Sequence, residues 1–244
     1  GTALVLESQE KEAMDVLKQA AERADIKTTK VVNWDEIKIL PQKDGKQCFS
    51  YAGYDAVTMK MLGVHQYENA VAAMLAAELF FEKYFAGKKN VPELKALQHA
   101  IREGIDRTQW MGRMELVSND PFFLMDGAHN SNGVEALKKS LETMYPDEKF
   151  HFIMGVMADK DYGEMIRELL PLALDFKTVT VESERALQGE ALADCIREKG
   201  IPAEAYQNLA DVLPDFSKSS TEKTVALGSL YFIGEIEAFL QGKK

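Results

Sequence analysis

From Gly112 onward the sequence alternates without interruption between short apolar runs and amphipathic segments. RMELV and FFLM lead into an amphipathic stretch over 131–145. KFHFIMGV is followed by YGEMIRELLP, FKTVTVE by GEALADCIREKG, EAYQ by NLADVLPDFSK, and KTVALG by SLYFIGEIEAFLQG. Apolar runs of about four to eight residues bounded by polar turns read as buried strands, and the helical spacing of the segments between them reads as helix. Parallel neighbours need a long crossover, usually a helix, so this alternation predicts a mostly parallel sheet covered by helices. The expected fold class is α/β, with a Rossmann-like sheet in this part of the chain.

Upstream the rhythm differs. Residues 3–6 (ALVL) and KTTKVVNW read as strands flanking a helix over 9–24. KILPQKDGKQCFSYAGYDAVTMKML carries the turn KDGK among alternating apolar residues, which predicts short antiparallel strands. Residues 66–85 are apolar almost all round, which predicts a deeply buried helix. VPELKALQHAIRE predicts another helix, with Pro92 in its first turn. DRTQWMG breaks the pattern, so two domains are expected, 1–108 and 109–244. A buried strand directly after Gly1 reads as entry into the middle of a fold, and a fragment of a longer protein is expected.

Composition narrows the function classes. The chain has 244 residues, 46% of them hydrophobic and 28% charged, as in soluble globular proteins. Its formal charge of -10 excludes the basic face a nucleic-acid binder needs, though not a nucleotide site built from local cations and helix ends. The longest apolar stretch, AVAAMLAA, falls well short of the ~20 residues of a membrane span. Cys48 and Cys195 lack a C-x-x-C spacing and are expected to be reduced thiols in a cytoplasmic protein. A monomer is the default expectation.

Five stretches could carry chemistry. In FFLMDGAHNSNG (122–133) an apolar strand ends on Asp126 and turns through His129 and Asn130 into a helix. That is the ligand-binding corner of α/β proteins, where a strand's carboxyl end meets a helix N-terminus. The plainer alternative has Asp126 and Asn130 capping the helix. MGVMADKDYGEM (154–165) places Asp159, Lys160 and Asp161 on the same sheet edge, with Lys160 suited to a phosphate or carboxylate or simply solvated. Arg113 follows Gly112 at the domain junction, where its fork could reach a phosphate or form a surface ion pair. Asn69, in HQYENA, could meet a base or cap a helix; His65 and Gln66 precede it without a metal-ligand partner. Gly228 and Ser229 join the last strand to the last helix, with Ser229 a cap or a hydroxyl for an anion, and Arg185 is a further candidate cation. No G-x-x-x-x-G-K-[ST], G-x-G-x-x-G, G-x-S-x-G or H-E-x-x-H occurs, and the four histidines are too scattered to argue a metal site.

The order of these pieces carries more than any one of them. HQ-x-x-NA, W-x-GR-x-E, LMDGAHN, MG-x-x-x-DKDY and GSLYFIGE together resemble the C-terminal part of folylpolyglutamate synthases and dihydrofolate synthases, in the Mur ligase superfamily. The resemblance implies that 1–108 is the second half of a central ATP-binding domain and 109–244 a glutamate-ligase domain. It implies an ATP- and Mg²⁺-dependent ligase that phosphorylates a carboxylate of dihydropteroate or a folate, after which the amine of L-glutamate attacks the acyl phosphate. By the same resemblance Asn69 contacts the base, Arg113 reaches the phosphates from the hinge, Asp126 the ribose side, and His129 lies beside the phosphates. Lys160 and Ser229, with Arg185 a candidate, would hold the glutamate carboxylates; His129 and Lys160 are the catalytic candidates. Met111, Ser131 and Glu184 stand where the family commonly has proline, and Ser131 can still cap the helix. The family's phosphate loop, Mg²⁺ ligands and pterin site are expected upstream of Gly1, so this chain alone is expected to be inactive. The rival readings are another Mur-type amide ligase, and a non-catalytic α/β module binding a nucleotide or a partner protein.

Overall fold

A computed structural model describes residues 3–7, 9–43 and 45–242. Two compact units divide the chain, Gly1–Met61 with His65–Gln109, and Leu62–Val64 with Trp110–Lys244.

In the first unit β1 (Ala3–Leu6) and β2 (Thr28–Val31) pair in parallel around helix α1 (Lys11–Arg23). The antiparallel meander β3 (Lys38–Lys43), β4 (Lys46–Tyr51) and β5 (Tyr54–Met59) follows, as the alternating pattern predicts. Helices α2 (His65–Phe85) and α3 (Leu94–Arg107) complete the unit. Phe49, Tyr54, Val57, Tyr67, Val71 and Met74 form its core. Helix α2 is less buried than its composition suggests: the core takes Tyr67, Val71 and Met74, whereas Phe80 is 69% and Tyr84 52% exposed. Apolar composition identifies a helix but not how much neighbouring structure covers it. Pro92 lies before α3 rather than in its first turn.

The second unit holds the six-stranded sheet. Its strands are β6 (Glu115–Asn119), β7 (Phe122–Met125), β8 (Phe150–Met154), β9 (Ala173–Val179), β10 (Ala203–Tyr206) and β11 (Lys223–Leu227). They lie in the order β10-β9-β8-β11-β7-β6, all neighbours parallel except β6 against β7. Side chains alternate between two buried faces. Leu124, Phe152 and Val225 pack with α4 (Ser131–Met144), α5 (Tyr162–Leu169) and α6 (Gly189–Arg197). Phe123, Ile153 and Ala226 pack with α7 (Leu230–Gly242) through Phe232, Ile233 and Ile236. The α/β class and the mostly parallel sheet are as the sequence predicts. One expected helix is absent: NLADVLPDFSK makes only a 3₁₀ turn at Leu209–Asp211. Pro214 cannot donate to a helical ladder and disfavours helical backbone at the residue before it.

Candidate functional site

Because β7, β8, β9 and β11 are parallel neighbours, their carboxyl ends share one sheet edge. The segments leaving them carry Asp126 and His129, Lys160, Arg185, and Ser229 respectively. Asp126 is 6% exposed, and both carboxylate oxygens accept backbone hydrogen bonds, Oδ2 from Met114 N at 2.8 Å and Oδ1 from Ala128 N at 2.7 Å. Burial pushes its carboxyl up; the two N–H groups and the charges of Arg113 and His129 pull the other way. Asp126 is therefore a brace between two loops, and the helix cap is Asn130, whose Oδ1 accepts from Gly133 N at 2.8 Å. Ser131 opens α4 without capping it. His129 Nδ1 lies 2.8 Å from the Gly127 carbonyl, so Nδ1 carries the proton of that bond, and Nε2 is left for another partner.

Two glycines let this corner close. A Cβ on Gly127 would lie 2.3 Å from Leu230 Cδ2. Gly228 adopts φ +124°, and a Cβ there would lie 2.5 Å from the Gly155 carbonyl oxygen. The loops are stitched by Gly127 N donating to Gly112 O at 2.7 Å and Gly228 N to Ala128 O at 3.0 Å.

Arg113 stands on a short arch. Gly112 (φ +63°) and Met114 (φ +43°) flank it in left-handed backbone. Gly112 N donates to Glu115 Oε2 at 2.9 Å, and Met114 N donates to Asp126. The guanidinium feels the Asp126 charge but makes no hydrogen bond or ion pair among the described residues. It is a half-buried cation available to an anion.

The β8 and β9 loops are joined to each other. Ala158 N donates to Arg185 O and Leu187 N to Val156 O. Arg185 pairs with Asp159 at 2.7 Å, and Lys160 Nζ lies 3.9 Å from the same carboxylate. The Arg185 guanidinium beside it holds the Asp159 carboxyl below the usual range. Asp161 caps α5 through Glu164 N. Ser229 is 3% exposed, and its Oγ accepts from Phe232 N at 2.9 Å, the plainer of its two expected roles.

Asn69 belongs to the first unit and is not the N-cap of α2. The helix begins at His65, so Asn69 lies in its second turn and donates to Gln66 Oε1 at 3.0 Å. It lines a mostly apolar pocket of about 110 Å³ with Met59, Met61, Ala70 and Ile105. Glu115 and Glu235 are the supporting residues that sequence reasoning passed over. Glu235 Oε1 accepts from Glu182 N at 2.7 Å in the Arg185 loop. Glu115 sits in the W-x-GR-x-E pattern, but nothing in the sequence names the N–H it holds. Among the described residues no cluster of three or more His, Cys, Asp or Glu could hold a metal, and no helix is long and apolar enough to cross a membrane.

Residues 112–227 match the model of the Mur ligase, glutamate ligase domain. The chain is 29% identical over 191 residues to the dihydrofolate synthase/folylpolyglutamate synthase of Bacillus subtilis, covering 77% of this chain and 42% of that protein. Against the Mycobacterium tuberculosis protein of the same name it is 30% identical over 226 residues, covering 87% and 43%. A solved M. tuberculosis folylpolyglutamate synthase, complexed with ADP and AMPPCP, matches with a TM-score of 0.76 at 25% identity, over 98% of this chain and 55% of that one. The chain thus spans less than half the length of these two curated relatives.

Proposed function

We propose that the chain, whose residues 112–227 match the Mur ligase glutamate ligase domain, forms part of an ATP-dependent ligase adding L-glutamate to dihydropteroate or a folate. In that reaction the acceptor carboxylate takes the terminal phosphoryl group of ATP, and ADP leaves. The amine of glutamate then attacks the acyl carbon, the bond to phosphate breaks, and an amide, inorganic phosphate and a proton result. Residues 109–244 are the glutamate-ligase domain, and residues 1–108 belong to the ATP-binding domain.

The observation that carries the reading is Arg113. A half-buried guanidinium without a hydrogen-bonded counter-ion is held over a corner that also offers His129 Nε2 and the N-terminus of α4. Those groups fit the phosphates of a nucleotide. Asp126 faces the ribose side while bracing the arch, and Asn69 meets the base at its apolar pocket. Lys160 and Arg185, exchanging their present partner Asp159 for the substrate, receive the glutamate carboxylates together with the start of α7 at Ser229. Magnesium supplies charge neutralisation in phosphoryl transfer. The described residues contain no cluster suited to it, so we assign it no ligand here.

The non-catalytic reading draws on one observation: Asp126 and Asn130 are fully explained as brace and cap. Calorimetric titration of ADP separates the two. Arg113→Ala is expected to weaken binding by about tenfold, the loss of one charge-assisted contact. Equal affinity in the variant and the parent would favour the non-catalytic module.

A further inference from the structure

We propose that Glu115 is the positioning residue of Arg113: its carboxylate captures the Gly112 N–H and fixes the arch on which the guanidinium stands. The proposal rests on the reading of Arg113 as a phosphate-binding cation. Three observations support it. The arch holds left-handed backbone on both sides of Arg113, freely open to Gly112 but at Met114 a conformation that persists only where its surroundings impose it. Asp126 holds the Met114 side and Glu115 the Gly112 side, each through one backbone N–H. Helix α7 closes the arch from behind, since a Cβ on Gly112 would lie 2.7 Å from Ile233 Cγ2.

Helix α7 also carries Glu237, one turn beyond Ile233, whose carboxyl is pushed up by burial and then by the Glu115 charge. Glu115 accepts from Gly112 N at 2.9 Å through Oε2. Its role is indirect, because it touches the backbone that carries Arg113 and no part of a ligand.

The test uses the 244-residue chain in wild type, Glu115→Ala, Glu115→Gln, Arg113→Ala and the Glu115→Ala/Arg113→Ala double variant. Amide exchange at Gly112 is followed by NMR, and ADP is titrated by calorimetry. Glu115→Ala is expected to speed exchange at Gly112 by about tenfold or more while the amides of α4 stay unchanged. It is expected to weaken ADP binding as much as Arg113→Ala does, with no further loss in the double variant, because both remove the same placed cation. Glu115→Gln keeps an acceptor oxygen and is expected to restore both readouts. Unchanged exchange at Gly112 in Glu115→Ala overturns the proposal, as does a loss of ADP affinity fully additive with that of Arg113→Ala. If Arg113→Ala leaves ADP binding untouched, the phosphate-binding reading falls, and the Gly112 exchange alone decides whether Glu115 holds the arch. Should Glu115→Ala not fold, Glu115→Asp, one methylene shorter, carries the same two readouts.

Discussion

Asp126 performs two structural tasks that a ligand contact would not require. Replacing it with Ala leaves the N–H groups of Met114 and Ala128 without their acceptors in a buried corner. Each lost bond to a charged group in such a place costs about 1–3 kcal/mol. Asp126→Ala is therefore expected to lower stability by about 2–5 kcal/mol in urea titration, with activity falling for that reason alone. Arg113 is the cleaner probe of function because nothing in the described structure hangs on its guanidinium. The two glycines of the corner differ in the same instructive way. Gly127→Ala meets chiefly the end of the Leu230 side chain at 2.3 Å, with the Gly112 carbonyl oxygen next at 3.2 Å, so Leu230→Ala should rescue most of its loss. Gly228→Ala meets a backbone carbonyl from a left-handed position and has no such partner. Its loss of thermal stability is expected to persist in a Leu230→Ala background.

At the scale of elements, α7 touches every loop of the candidate site. Leu230, Phe232 and Ile233 lie against the places where a Cβ would stand on Gly127, Gly155 and Gly112, and Glu235 accepts from Glu182 in the Arg185 loop. Phe232 is fully buried, so Phe232→Ala should cost about 3–5 kcal/mol, read from the unfolding midpoint. The helix also carries a pH dependence. Glu237 has its carboxyl raised in the folded chain by burial and by Glu115. Its stabilising protonated form is fully present below the ordinary value of 4.5 and is lost as pH rises through the folded value. Glutamine mimics that form at every pH. Glu237→Gln should thus melt higher than wild type at pH 8, with the difference closing on acidification. A constant difference across that range would contradict the raised carboxyl of Glu237. The sequence showed α7 as an apolar helix after Gly228-Ser229. Its carboxylates at 235 and 237 look like solvated surface charge until the loops they face are known.

Across the whole molecule, what was legible in the sequence is what periodicity encodes. FFLM, the strand–helix alternation and the antiparallel meander follow from local spacing alone. The failures differ in cause, one lying in long-range cover and the others in local chain geometry. Apolar composition suggested a deeply buried α2, yet Phe80 and Tyr84 face outward, and a helical pattern over 208–218 gave way to Pro214. Helix α2 starts at His65, four residues before Asn69, so the capping role open to Asn69 in the sequence is not the one it takes. The site's order along the sequence was readable, but Asp126 holding Met114 across 12 residues was not. No phosphate-cradling G-x-x-x-x-G-K-[ST] stretch occurs in these 244 residues. The chain by itself is accordingly expected to release no phosphate above background with ATP, glutamate and a folate. Robust turnover in that assay would contradict the expectation that this chain alone is inactive.

The strand order has a consequence for how such a chain is made. Strand β11 lies between β8 and β7, pairing Thr224 with both His151 and Phe123, although it is the last strand in the sequence. A ribosome therefore releases β7 and β8 with facing edges exposed and holds back the strand that joins them. Until residues 223–227 emerge, two apolar edges wait open to any passing strand, which is the circumstance in which nascent chains misassemble. Translation that stalls or stops before Lys223 would leave a sheet split along its middle, with its most aggregation-prone surfaces outermost.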